Sequence, residues 1–301
     1  MFDHELDALV LRRVVALKRF TLFEGVDLAE LATLAQNVTE TTLAPDQRVA
    51  ADPNAMHFIF EGAIAVAGTE YVAGEIVGGL ELLARRALTG DVRATKPTRT
   101  LRLNAEDLFD LLDDNFGLLR AAIRSVATLA LAVPRSPVRR DSLALPGPLG
   151  LVERLLLLRE QAPLARARIR ALTTLARASQ ELAWPGGAVI VRPSDRATSS
   201  YVIAEGTVRE GDGDAAPVLG KGDAFGLLET LAGRSHDAAF EAITPVRVLA
   251  SPQDVLLDVL EDHADLGVAV LGALAGDVLS YSATRFARPN TRALTSSTTT
   301  R

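Results

Sequence analysis

The sequence repeats itself across its two halves. Phe58-Ile59-Phe60-Glu61-Gly62-Ala63-Ile64 returns as Val202-Ile203-Ala204-Glu205-Gly206-Thr207-Val208, and Val77-Gly78-Gly79-Leu80-Glu81-Leu82-Leu83-Ala84 returns as Phe225-Gly226-Leu227-Leu228-Glu229-Thr230-Leu231-Ala232. Gly206 follows Gly62 by 144 residues and Gly226 follows Gly78 by 148, so the second copy needs one hairpin loop longer by four residues. A repeat of this length describes two similar domains, not a solenoid of small units. The 301 residues suffice for two domains of about 150. A functional site is therefore to be sought at matching positions in both copies.

Hydrophobic residues make up 48% of the chain and aromatics only 5%, so the cores are expected to consist of Leu, Val, Ile and Ala. A net charge of −6 disfavours nucleic acid or an anionic membrane as the main partner. The absence of cysteine excludes disulfides, thiol catalysis and thiolate metal sites. Met1-Phe2-Asp3-His4-Glu5 lacks a signal-peptide pattern. No apolar run reaches about 18 residues, Gly267 to Gly276 being the nearest approach, so no membrane span and a cytoplasmic location are expected.

Each copy reads as helix, then about eight short strands, then one or two helices. Leu6 to Phe20 has helical spacing. Asp27 followed by Glu30 has the pattern of a capping box, ahead of an apolar face formed by Leu28, Leu31, Leu34 and Ala35. From Val38 to Ala94, runs of Val, Ile, Phe and Thr alternate with Gly, Pro, Asp and Asn, the pattern of short strands and turns, with one more strand at Thr100 to Leu103. Helices follow from Asn104 and over Phe116 to Val133. Residues 134–149, with four prolines and three arginines, read as a linker between a first domain (1–133) and a second (150–283). Leu151 to Arg177 is largely helical with a break at Pro163, Ser179 to Ser251 is strand and turn, and Gln253 to Tyr281 is helical. Residues 284–301, rich in Thr, Ser and Arg, read as a disordered tail. The fold class is α+β, mainly β: two jelly rolls or β-rolls, each flanked by helices.

This order of motifs resembles the cyclic-nucleotide-binding domain of the catabolite-activator and kinase-regulatory-subunit type, over about 110 residues in each half. The resemblance rests on Leu17-Lys18-Arg19-Phe20-Thr21-Leu22-Phe23, on Leu43-Ala44-Pro45 with Val49, on Phe58-Ile59-Phe60-Glu61-Gly62, and on Ala94-Thr95-Lys96-Pro97-Thr98-Arg99-Thr100-Leu101. It implies a ligand cassette between two strands, in which backbone N–H groups at the start of a short helix cradle a cyclic phosphate, an arginine pairs with that phosphate, and a glutamate accepts a ribose hydroxyl.

Both cassettes depart from that pattern. In the first, Gly78 matches, but Gly79 stands at the glutamate position and Leu88 at the arginine position, followed by Thr89 and with Asp91 close by. In the second, Gly226 matches, Leu227 replaces the glutamate, and His236 takes the arginine position between Ser235 and Asp237. Arg85, Arg86 and Arg234 are near enough for a register shift to bring one in, and Glu81 and Glu229 stand at matching positions where a displaced ribose contact is conceivable. The plain alternatives are a surface-loop histidine, solvated arginines and solvated or capping carboxylates. Gly62 and Gly206 read as structural strand ends.

The sequence offers no catalytic or metal constellation. His4, His57, His236 and His263 are scattered, and no nucleophile-elbow motif occurs. Gly211-Asp212-Gly213-Asp214 reads as a hairpin turn, not a calcium loop. Arg139-Arg140-Asp141-Ser142 matches a basic-directed phosphorylation pattern. Too few residues follow Leu279 for a DNA-binding helix-turn-helix. No cofactor is expected. The expectation is a non-catalytic regulatory or protein-interaction module that does not bind cyclic AMP or cyclic GMP tightly. The alternatives are a sensor of a cyclic nucleotide or other anionic metabolite that uses Arg234 or Arg85, and an accessory subunit of a larger assembly. The helix from Phe116 to Val133, with Leu119, Ile123, Val126 and Leu129 at helical spacing, is the expected interface. It would serve a homodimer, a protein partner or packing between the two copies.

Overall fold

The computed structural model describes residues 2–49, 54–134, 147–165, 167–213 and 216–286. The expected linker falls mostly outside these residues, as do Ser142 and most of the expected tail.

The first copy opens with α1 (Phe2–Leu17), a 3-10 turn at Thr21–Phe23 and α2 (Leu28–Asn37). Strands β1 (Thr39–Leu43), β2 (Ala55–Glu61), β3 (Ala63–Val66), β4 (Thr69–Val72) and β5 (Ile76–Val77) lead to the short helix α3 (Gly79–Leu83). β6 (Val92–Ala94), β7 (Thr98–Asn104), α4 (Ala105–Asp114) and α5 (Phe116–Ala130) complete it. The second copy repeats the order as α6 (Leu151–Arg159), a 3-10 turn at Ala162–Leu164, α7 (Ile169–Ala178), β8 (Gln180–Trp184), β9 (Val189–Val191), β10 (Ser199–Glu205), β11 (Val208–Glu210), β12 (Val218–Leu219), β13 (Ala224–Phe225), α8 (Leu227–Ala232), β14 (Phe240–Ala242), β15 (Val246–Pro252), α9 (Gln253–Asp262) and α10 (Ala264–Phe286).

The strands form antiparallel sheets ordered β1-β7-β2-β5 and β4-β3-β6 in the first copy, and β8-β15-β10-β13 and β12-β11-β14-β9 in the second. About eight strands per copy were expected. Among the described residues the first copy has seven, because the counterpart of β9 is reduced to the single bridge Arg48–Arg93. The four extra residues lie where the changed repeat spacing requires them. Two residues join β3 to β4, whereas the stretch from Gly211 to Pro217 joins β11 to β12 in a hairpin. The repeat extends to side-chain chemistry. Arg99 pairs with Glu40 and Glu61, and Arg247 with Glu181 and Glu205, at matching positions on the β1-β7-β2 and β8-β15-β10 strands. Arg13 of α1 and Arg154 of α6 each donate to a carbonyl of the following helix, at Ala35 and Ala176.

Strand alternation sends one face of each roll inward and the other toward the helices. Ile59, Ile64, Val77 and Val92 fill the first roll, and Ile203, Val208, Phe225 and Phe240 the second. The helix-facing residues, among them Met56, Phe58, Val202 and Leu249, join a single core shared by the helices of both copies. α10 lies against α5 and against α3, while α5 lies against α8. Each cassette helix is thus covered by the last long helix of the other copy. Close approach is possible because α10 presents glycines. A methyl group on Gly267 would come within 2.6 Å of Leu119 Cδ2, and one on Gly272 within 3.0 Å of the Leu83 carbonyl.

This packing decides the role of the expected interface helix. Leu119, Ile123 and Val126 are buried within the chain's own core, so they are not a surface for a second molecule. Leu129 alone of the four is exposed, at 47%. By length and composition, Ala264–Ser282 of α10 would suffice to cross a membrane, a stretch the apolar-run reading missed because Asp277 and small polar residues interrupt it. Here its Leu266, Val270, Leu271, Leu274 and Ala275 are buried against other helices.

The capping box is also corrected. Asp27 Oδ1 accepts from Ala29 N at 2.8 Å, but Glu30 does not reach back to its own helix start. Its carboxylate instead accepts from Gly117 N at 2.9 Å, satisfying a first-turn donor of α5. Leu28 lies on the outer side of α2 and is exposed, unlike Leu31, Leu34 and Ala35.

Gly62 and Gly206 end their strands at φ +87° in both copies, and an added methyl would run into the carbonyls of Pro97 and Pro245. Gly206→Ala is expected to cost at least about 2 kcal/mol, from strain plus clash. Gly213→Ala, also at positive φ but in open space, should cost about 1 kcal/mol. Urea unfolding of the two variants checks the difference.

Candidate functional site

Each cassette begins with a glycine in the left-handed region, Gly78 at φ +80° and Gly226 at φ +76°, which serves as N-cap of α3 or α8. The conformation and the space both require glycine. A methyl on Gly226 would lie 2.9 Å from the Ser199 carbonyl, and one on Gly78 3.0 Å from that of Ala55. The first N–H groups of each short helix have no acceptor within the helix itself. This is the backbone frame that the resemblance implies for an anion.

What stands beside that frame is a leucine in one copy and a histidine in the other. The residue at each arginine position turns back into its own roll. Leu88 packs on the first roll's interior, with its Cδ2 3.8 Å from where a Gly78 side chain would begin. His236 is 3% exposed and its Cε1 lies 3.3 Å from the corresponding point on Gly226. The alternative of a surface-loop histidine is therefore corrected. The backbone of His236 is clamped by Ser194 N donating to its carbonyl at 2.8 Å and by its own N–H donating to Asp195 O at 2.9 Å. These bonds pull the loop between β9 and β10 over the cassette and turn the imidazole inward.

The imidazole ends a stack of rings. Its centroid is 5.9 Å from that of Phe240, edge to face; Phe240 and Phe225 are 4.7 Å apart, Phe225 and Tyr201 4.8 Å, and Tyr201 and Trp184 6.3 Å. Such pairs stabilise by about 0.5–1.5 kcal/mol each beyond area burial. The first copy holds Leu43, His57, Val77, Val92 and Leu88 at the matching positions. Burial pushes the Tyr201 hydroxyl pKa up, against a smaller opposing effect from Ser199. Sequence reasoning passed over Trp184, Tyr201 and Phe240, although their concentration in one set of strands is visible there.

The remaining candidates are dispersed. Arg85, at φ +53°, stacks on Phe109 with its guanidinium 5.0 Å from the ring centroid. Arg86 crosses to the other copy and donates to Ser280 Oγ at 3.1 Å. Beside it the Asp277 carboxyl is pushed above the usual carboxylate range by desolvation, which Arg86 partly offsets. Arg234, Ser235 and Thr89 are exposed. The main chain of the first two pairs with the loop over the cassette, through Ala197 N to Arg234 O at 3.2 Å and the Arg196–Ser235 bridge. Glu229 is buried at 5% exposure, which corrects the solvated-carboxylate alternative. Glu81 is half-buried and adds to the raised pKa of Tyr71, below burial and above Glu75 in effect. Gly79 and Leu227 are the first residues of α3 and α8 and carry no acceptor for a ribose. Asp91 is held in ion pairs with Arg48 and Arg93.

Residues 181–263 match the cyclic nucleotide-binding domain family. The Global nitrogen regulator of Synechocystis sp. is 27% identical over 95 residues, 29% of this chain and 42% of that protein, so the match spans less than half of the relative's length. Among solved structures, the regulatory subunit of a cAMP-independent protein kinase A from Trypanosoma brucei aligns over 95% of this chain and 94% of that one, at 20% identity and a TM-score of 0.34. The N-terminal domain of a transcriptional regulator from Streptomyces coelicolor A3(2) aligns over 44% of this chain and 98% of that one, at 21% identity and a TM-score of 0.39.

His236→Ala should destabilise the chain by about 2–4 kcal/mol, as truncation of a packed core ring does. Arg234→Ala should stay within about 0.5 kcal/mol. Equilibrium denaturation followed by tryptophan fluorescence, with Trp184 at the end of the ring stack, distinguishes the two.

Proposed function

We propose that this chain is a non-catalytic regulatory or protein-interaction module built on two cyclic-nucleotide-binding folds, neither of which takes cyclic AMP or cyclic GMP tightly. The observation that carries this reading is the fate of the arginine position. In both copies it holds a side chain packed into the roll, Leu88 and His236, and the nearby arginines are engaged elsewhere or exposed. Loss of one partner from a buried, hydrogen-bonded charge pair costs roughly 2–5 kcal/mol. At about 1.4 kcal/mol per decade, that weakens binding by roughly 30-fold to several thousand-fold. The missing ribose carboxylate adds to it.

A protein-interaction role has support on the outer helices. α1 exposes Leu11 (64%) and Val15 (60%), and α6 exposes Val152 (64%) and Leu156 (47%) at the matching positions. With the inner face of α5 enclosed in the shared core, these matched pairs are better suited to a partner protein than that helix is.

A thermal-shift and calorimetric titration with cyclic AMP and cyclic GMP tests the proposal. A tight ligand at 100 times its Kd would stabilise the fold by about 2.7 kcal/mol. The expected result is no shift at millimolar nucleotide. Low-micromolar binding of either nucleotide would sink the proposal.

A further inference from the structure

The two copies differ in the space between roll and helices. Between the first roll and its helices lies a cavity of about 430 Å³. Its floor is formed by Phe23, Leu34, Phe58, Leu103 and Leu112, and its side walls by α3 and α5. The matching space in the second copy, lined by Leu164, Leu175, Val202, Ser251 and Leu260, has closed to about 30 Å³. The fold therefore does not require the hollow.

Small side chains alone do not explain it. Phe23, Phe58 and Leu103 in the first copy are larger than Leu164, Val202 and Ser251 in the second, yet the first space is the wider. Two positions contribute in the expected sense: Gly79 lines the first cavity where Leu227 fills the second, and Ala122 lines it where Val270 stands. Interiors are packed to crystal-like density, and an apolar hollow is able to take an apolar guest.

The rim indicates what kind of occupant fits. The cavity opens toward solvent past Thr21, Gly74, Glu75 and Leu129, all exposed. Tyr71 and Ser125 supply hydroxyls, and the lining holds the Glu75 carboxylate but no Arg, Lys or His. Burial, with Glu81 and Glu75 acting after it, keeps the Tyr71 hydroxyl protonated and so a donor. A carboxylate or phosphate ligand would meet Glu75 with nothing to balance it. Binding sites for small molecules fall in the range of about 300–1,000 Å³ and combine apolar walls with a few polar groups.

We infer that the space between the first roll, α3 and α5 is a binding site for an uncharged, largely hydrocarbon small molecule bearing one hydrogen-bond acceptor for Tyr71. The site shares α3 with the first cassette, and it stands whether or not either roll takes a nucleotide. Its walls include Gly79, Leu80 and Leu83 of α3 and Leu118, Ala122 and Val126 of α5. Both helices are covered by α10, so occupancy bears directly on the contact between the copies.

Titration of the full chain with the uncharged probe N-phenyl-1-naphthylamine, read by fluorescence, tests the inference. Saturable one-to-one binding is expected, weakened at least ten-fold in Gly79→Leu, which installs the residue of the second copy. Ala122→Phe should weaken it similarly and carries the test if Gly79→Leu does not fold. Leu88→Ala, inside the roll, should leave binding within two-fold. Dodecanol should displace the probe and dodecanoate should do so at least ten-fold less well, with Glu75→Gln narrowing that gap. No saturable binding, equal binding by both cavity-filling variants, or preference for dodecanoate would overturn the inference.

Discussion

The helices of the two copies share one hydrophobic core, and the rest of the structure depends on that merger. Each roll has its own interior, filled from its own strands. The helical layer does not divide that way, since α10 of the second copy covers α3 of the first and α5 of the first covers α8 of the second. Without the partner copy, each cassette helix would expose the apolar side that is now covered. The contact is made possible by glycines on α10, where a side chain at Gly267 or Gly272 would strike Leu119 or the backbone at Leu83. Glu30, reaching from α2 to the first turn of α5, fixes the start of the helix on which this arrangement turns.

Given that frame, the two copies have solved different packing problems with one topology. The first fills its roll with aliphatic side chains, with Tyr71 packed against them, and clusters Phe20, Phe23 and Phe58 between roll and helices, with centroids 5.3 to 6.5 Å apart. The second reverses this, with rings inside the roll and Gln161, Leu164 and Val202 at the matching helix-side positions. Buried Gln161 survives there because its amide donates to the carbonyls of Leu157 and Gly222. The ligand-gripping position changed character together with its roll. Leu88 suits an aliphatic interior, and His236 suits an aromatic one.

Much of this was legible in the sequence. The shifted repeat spacing located the longer hairpin, the paired glycines marked the strand ends and cassette starts, and helical periodicity placed α4, α5 and the break near Pro163. What was missed is tertiary in origin. The sequence pattern of Asp27 and Glu30 is that of a local capping box, and only packing shows that Glu30 serves a different helix. The apolar stripe of α5 announces burial but not its partner, which comes from the far end of the chain. His236 read as a loop residue because its neighbours Ser235 and Asp237 are polar and exposed; the pairing of residues 194–197 with 234–236 is what turns it inward. The wide space beside α3 had little sequence signature beyond Gly79 and Ala122, because side-chain size at the other matching positions runs the opposite way.

The central claim is that the two copies are one cooperative body held by the shared helical core. Differential scanning calorimetry of the full chain tests it most directly. The account predicts a single transition whose calorimetric and van't Hoff enthalpies agree. Two resolved transitions, each with the enthalpy of about half the chain, would contradict it.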